Sequence, residues 1–131
     1  MGARPRLTQA EWEAMEAVWT LGGSPSVRQV LDHAYPQGEK AYTTVQTIMN
    51  TLVKKGFLRR RKTGLVNFYT PVRSRDELAR AETFSLISRI FDGSVPALAN
   101  HLIESGDLDL DEIEAIRRML ARKARDLKEK S

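Results

Sequence analysis

The chain has 131 residues, enough for one domain or one domain with an appendage, and its 41% hydrophobic and 29% charged residues are a globular composition. It has no cysteine, which excludes disulfides, thiolate metal sites and cysteine nucleophiles. No stretch nears the ~20 apolar residues of a membrane span. The net charge of +4 is unevenly placed: residues 1–73 hold 11 Lys/Arg against 5 Asp/Glu, and residues 74–131 hold 10 against 12, so the N-terminal half suits a polyanion.

Met1 to Leu7 carries Arg4 and Arg6 with no apolar segment behind them, which argues against a signal peptide and fits a cytoplasmic protein. Thr8 and Glu11 have the spacing of a capping box, with Leu7 and Trp12 placed as a hydrophobic staple. The helix they open puts Trp12, Met15, Val18 and Trp19 on one face and ends at Gly22-Gly23. Ser24-Pro25-Ser26 opens a second, shorter helix with Val27, Val30, Leu31 and Ala34 as its inner stripe, stopped by Tyr35-Pro36-Gln37-Gly38. A third helix, with Tyr42 or Thr43 near its cap, runs to Lys55 before Gly56 and repeats Val45, Ile48, Met49 and Leu52 at helical spacing. Two extended segments, Phe57–Lys62 and Leu65–Thr70, flank a Thr63-Gly64 turn and read as a β-hairpin closed by Pro71.

Beyond the hairpin, a helix from Arg75 to Phe91 enters through Ser74 and stops at Asp92-Gly93. A short helix covers Pro96 to Ile103, and Asp109 and Glu112 cap a last helix whose end from Lys128 should fray. Fewer than 60 residues do not easily bury three amphipathic faces alone, so a C2 homodimer is expected. Its contact residues are Phe84, Ile87, Phe91, Leu98, Leu102, Leu110, Ile113, Ile116 and Leu120. The fold class is therefore mainly α with a small β-hairpin wing: a winged helix-turn-helix domain over 1–73, then a helical dimerisation domain over 74–131.

At about 100° per residue, the third helix sets Thr43, Thr47, Asn50 and Lys54 opposite its apolar stripe, flanked by Thr44, Gln46 and Thr51. Short hydrogen-bonding side chains with one charge suit major-groove readout: Asn or Gln on adenine, a Thr methyl on thymine, Lys on guanine or phosphate. The competing reading is an ordinary solvated face. Arg59 to Lys62 alternate between two faces of a strand, so Arg60, Arg61 and Lys62 are candidates for phosphate or minor-groove contact and some must point away. Ser26 and Arg28 open the second helix where phosphate is favoured, and Arg4 and Arg6 are candidates for an arm. His33 and His101 lack metal-ligand spacing, and no phosphate loop or nucleophile elbow is present, so no catalytic residue, metal or cofactor is expected. A winged-helix module that docks on a protein, and a small enzyme, remain as rivals.

The segments Leu7–Glu13, Val18-Trp19, Thr44–Met49, Lys54–Leu58 and Asp107–Ile113, in this order and spacing, resemble the penicillinase repressor family of BlaI/MecI-type regulators over Leu7 to about Leu127. The resemblance implies repression of promoters carrying a dyad-symmetric operator with TACA/TGTA half-sites, through double-stranded DNA binding by a homodimer. It also implies a role in antibiotic response and release by proteolysis, with a membrane sensor metalloprotease as partner and no membrane insertion of the chain itself. The family's Asn-Phe cleavage bond falls at Asn100-His101, which keeps the Asn and has His in place of Phe. Some relatives carry Arg where this chain has Gln46 and Thr51, and the cysteine cluster of the copper-responsive branch is missing.

Overall fold

A computed structural model describes residues 6–131; Arg4 lies outside the described residues. In chain order come α1 (Gln9–Leu21), α2 (Val27–Ala34), α3 (Tyr42–Lys54), β1 (Leu58–Thr63), β2 (Val66–Pro71), α4 (Arg75–Phe91), α5 (Val95–Glu104) and α6 (Leu110–Lys130). The order of three helices and a hairpin is that of a winged helix-turn-helix, with further helices behind it. The chain divides into a unit ending at Thr83 and a second from Phe84 onward. The first unit runs past the expected boundary at residue 73 because Leu78, on the first half of α4, is buried in its core.

Local chemistry explains most of the boundaries. Thr8 Oγ1 accepts from the Glu11 backbone N–H at 3.2 Å while Glu11 Oε1 accepts from the Thr8 N–H at 2.9 Å, so two otherwise orphaned donors at the start of α1 are satisfied. Ser26 and Gln29 make the same reciprocal pair at the start of α2. Helix α3 has no side-chain cap: it begins at Tyr42 behind Ala41, not at a capping Thr43, and Lys55 is its C-terminal cap residue. Its end is followed by Gly56 at φ +87°, a left-handed turn that glycine adopts without strain.

The core of the first unit joins Met15 and Val18 of α1, Val30 of α2, Val45, Met49 and Leu52 of α3, Leu58 and Tyr69 of the hairpin, and Leu78. Ile48 is only partly buried, because it sits at the edge of the α3 stripe. Trp12 and Trp19 also pack on the rim of the core, edge to face with ring centroids 5.6 Å apart. Trp19 Nε1 donates to the Arg73 carbonyl at 3.0 Å, tying α1 to the chain that leaves the hairpin. The hairpin pairs Leu58 with Pro71 through to Thr63 with Val66, so its connection is Gly64-Leu65, with Gly64 at φ +64°. Ser26 bridges to Phe68, and the Tyr69 N–H donates to the Pro25 carbonyl at 2.9 Å, which lays the start of α2 along β2.

In the second unit, Asp109 and Glu112 form the capping box of α6, and Ser94 caps α5. Helix α6 stays helical to Lys130, beyond the expected fraying at Lys128; Lys128 and Lys130 lie in its last turn, where the helix dipole favours cations. No residue from Phe84 to Ser131 is buried.

A partly buried ion pair helps fasten the first unit. Lys55 Nζ donates to both carboxylate oxygens of Glu11, at 2.8 and 3.0 Å, and to the Arg6 carbonyl at 3.1 Å. Burial works to raise the Glu11 pKa, but the bonds from Lys55 and Thr8 outweigh it and hold the carboxyl below its ordinary value. This contribution to stability is therefore present above the ordinary carboxylate range and is lost as pH falls through the lowered folded value. Glu11→Ala should cost about 2 kcal/mol in urea denaturation at neutral pH, less than a fully buried broken pair. The Lys55 side chain stays 26% exposed and can rehydrate. Glu11→Gln should flatten the acid limb of the stability curve.

Candidate nucleic-acid interface

Helix α3 is anchored by buried Val45, Met49 and Leu52, which fixes the direction of its other face. On that face Tyr42, Thr43, Thr44, Thr47 and Lys54 are exposed, and Gln46, Asn50 and Thr51 are half-buried. Thr47 Oγ1 donates to the Thr43 carbonyl at 3.0 Å, which leaves Thr47 a methyl group and an acceptor oxygen to offer. Among the described residues, one further side chain of this face is hydrogen-bonded within the protein.

That side chain is Asn50. Its Oδ1 accepts from the Tyr69 hydroxyl at 2.8 Å and from Arg60 Nη1 at 3.0 Å. Tyr69 is fully buried on β2, and Arg60 is its direct partner across the hairpin. Burial raises the Tyr69 pKa, although Arg60 pulls the other way, so the hydroxyl keeps its proton and donates. Bidentate recognition of adenine needs both the oxygen and the nitrogen of an amide. Asn50 has its oxygen already committed, so it joins α3 to the wing instead of presenting a free amide.

Strand alternation sorts the wing cations. Leu58, Arg60 and Lys62 share the face that packs toward α3, while Arg59 and Arg61 are on the other, and all four cations are exposed. Arg60 is thus brought to the α3 face and Arg61 is not. Leu65, at the hairpin tip, is 95% exposed. At the start of α2, the Ser26 hydroxyl accepts from the Gln29 N–H at 3.3 Å. Arg28 stands 5.2 Å over the Tyr42 ring and 3.7 Å from Asp32, which holds its guanidinium beside the first turn of α3. Tyr42 is the member that sequence reasoning missed: its exposed ring at the first position of α3 was visible only as a neighbour of the cap, and its pairing with Arg28 is tertiary.

Titratable groups gather elsewhere in a groove of about 690 Å³ lined by Trp12, Glu13, Glu16, His33, Tyr35 and Lys40. Several of them are already engaged by neighbouring side chains. The Tyr35 hydroxyl donates to Glu13 at 2.6 Å, Lys40 Nζ lies 5.4 Å from the Tyr35 ring, and Glu16 accepts from Arg75 at 2.6 Å. Burial first, then Glu13, pushes the Tyr35 phenol well above its ordinary range.

Helix order, hairpin and an exposed polar third helix define a winged helix-turn-helix protein. The sequence profile described as "Penicillinase repressor" matches residues 7–122, and the chain belongs to that family. It is 32% identical over 122 residues to the transcriptional regulator BlaI of Mycobacterium tuberculosis, covering 92% of this chain and 87% of that protein. It is 26% identical over 117 residues to the methicillin resistance regulatory protein MecI of Staphylococcus aureus, covering 89% and 94%. The penicillinase repressor of Bacillus licheniformis is 26% identical over 116 residues, covering 88% and 90%. Among solved structures, the solution structure of the DNA-binding domain of the repressor BlaI matches with TM-score 0.50 and 30% identity, over 59% of this chain and 93% of that one.

Asn50→Ala removes the acceptor of a buried hydroxyl and should destabilise the first unit by about 1–2 kcal/mol. Amide exchange across β1 and β2 should accelerate with it. Tyr69→Phe should cost less than about 1 kcal/mol, because it removes the donor and leaves Asn50 in place for Arg60. Equal losses for the two variants would show that the hydroxyl does not depend on Asn50.

Proposed function

We propose that the chain is a transcriptional repressor that binds a dyad-symmetric operator as a homodimer, with α3 in the major groove of each half-site. The observation that carries this reading is the exposed, nearly uncharged hydrogen-bonding face of α3, fixed by Asn50 to a wing of exposed cations. Gln46, Thr43, Thr44, Thr47, Thr51 and Lys54 are the proposed base-facing set. Gln46 supplies an amide for adenine, the threonines methyl groups for thymine, and Lys54 an ammonium for guanine or phosphate. Ser26 and Arg28 position the phosphate backbone beside the start of α3. Arg60 and Lys62 meet the backbone on the α3 side of the wing, and Arg61 on the other side.

In a dimer the two α3 helices enter grooves about 34 Å apart, or a small multiple of it, and the bound protein occludes the promoter. Each half-site alone holds weakly, so linkage of the two supplies the affinity. Phe84, Ile87, Phe91, Leu98, Leu102, Leu110, Ile113, Ile116 and Leu120 are the proposed contact residues, all of them exposed or half-buried in the single chain. Among the described residues no helix is long and apolar enough to cross a membrane, and the protein is proposed to act in the cytoplasm, without catalytic chemistry. Release by a sensor protease is proposed at Asn100-His101. Both residues are exposed, but they lie inside α5 with the His101 ring 5.7 Å from that of Phe91, so cleavage there requires α5 to open locally.

Fluorescence anisotropy with operator and scrambled duplexes tests the reading. Gln46→Ala should lower operator preference by about 1–3 kcal/mol. Arg61→Ala should weaken both duplexes alike and reduce the salt slope by about one. A protein that binds neither duplex would instead be a protein-docking winged helix.

A further inference from the structure

We infer that Leu65, at the tip of the wing, enters the minor groove next to the major groove that α3 occupies and wedges its apolar side chain at a base step there. It rests on the operator-binding reading and gives the wing tip a part in choosing the site. The Leu65 side chain is 95% exposed, whereas the other exposed apolar side chains of the first unit reach only 46%, at Val66 beside it. A two-residue hairpin turn is ordinarily filled by Gly, Asn, Asp or Ser. Leu65 is no part of the core, and the positive φ of the turn falls on Gly64, at +64°. Folding therefore gives no reason for a leucine at this position.

The hairpin has the reach for a groove. Arg60 is held on Asn50 of α3, so the wing is rooted on the reading helix. From Arg60 to the turn, four residues at about 3.4 Å each carry the tip about 14 Å along the strands. Half of a ~34 Å helical turn, about 17 Å, separates a major groove from the minor groove that follows it. A minor groove about 6 Å wide admits one side chain from a two-residue turn, and Gly64 adds none beside Leu65.

Charge complementarity selects the occupant. Arg59, Arg60, Arg61 and Lys62 precede the turn and are all exposed, and no carboxylate side chain lies between Glu39 and Asp76. A duplex offers phosphates on both rims of the minor groove and deoxyribose carbon along its walls, which matches cations on the strands and hydrocarbon at the tip. Leucine forms no bond to phosphate, so whatever Leu65 contributes comes from contact inside the groove. An apolar side chain inserted at a base step partly unstacks it, at least cost where TA or CA/TG steps are flexible. Leu65 thereby discriminates between sequences without hydrogen-bonding a base.

Titrations of operator duplexes carrying 2-aminopurine at successive positions, read by anisotropy and by base fluorescence, test the wedge. Wild-type protein should raise the fluorescence at one step per half-site, outside the segment that α3 covers. Leu65→Ala should abolish that rise and weaken operator binding about fivefold, as expected for partial burial of a leucine side chain. Its salt slope should match that of wild type, since no phosphate contact is removed. Its thermal unfolding should also match, because the core is untouched. Leu65→Lys should likewise lose the rise and bind no tighter than wild type. An operator complex with no fluorescence rise at any position would overturn the wedge. So would Leu65→Ala binding as tightly as wild type, the result expected if the tip serves a protein partner. Tighter binding by Leu65→Lys with a steeper salt slope would overturn it in favour of a tip that meets phosphate. A wild-type protein that does not prefer operator to a scrambled duplex would overturn the operator-binding reading itself.

Discussion

The hydroxyl of Tyr69 must find an acceptor, because the side chain is fully buried and an unpaired donor there would cost more than the bond it forgoes. Asn50 supplies that acceptor from α3, and the same oxygen takes a second bond from Arg60 on β1. One atom thus joins the third helix to both strands of the wing. The exposed face of α3 and the cations of the hairpin consequently move as one body. The Ser26 bridge to Phe68 extends this body to the start of α2, so Arg28, Tyr42 and the α3 face share one frame.

The two units solve the burial problem in different ways. Residues up to Leu78 enclose Met15, Val18, Val45, Met49, Leu52, Leu58 and Tyr69, all with negligible exposure. From Phe84 onward there are three helical segments and no buried side chain. Helices of this length are marginal alone in water, and their stability normally comes from packing of an apolar face. A second copy supplies that packing in the proposed dimer, where ordering of this unit and association become one equilibrium.

What was legible in the sequence was whatever is local. The pairs Thr8–Glu11 and Asp109–Glu112 gave the starts of α1 and α6 directly, since a capping box is complete within four residues. The start of α3 was harder to place because Ala41 offers no side chain to cap it. The apolar stripe of α3 is legible from spacing alone: Val45, Met49 and Leu52 are buried, and Ile48 packs partly buried against the same core. Asn50 shows the limit most clearly. Helical spacing places it on the outward face, and only the arrival of Tyr69, 19 residues later in the chain, turns its oxygen inward. Arg28 over Tyr42 was hidden for the same reason.

Reading and holding are divided between different side chains in the proposed complex. The α3 face has Lys54 as its one cation, so its bonds discriminate between bases while adding little long-range attraction. The wing carries four consecutive cations, whose attraction to phosphate is indifferent to sequence and weakens with salt. Arg60 belongs to both sets: its bond to Asn50 ties the electrostatic element to the reading element, so a phosphate that pulls on the wing also presses α3 into register. Neither element alone would bind one half-site tightly and selectively. The proposed dimer multiplies the two modest terms, and because residues 84–131 have no core of their own, whatever loosens that pairing also lowers the occupancy of the operator.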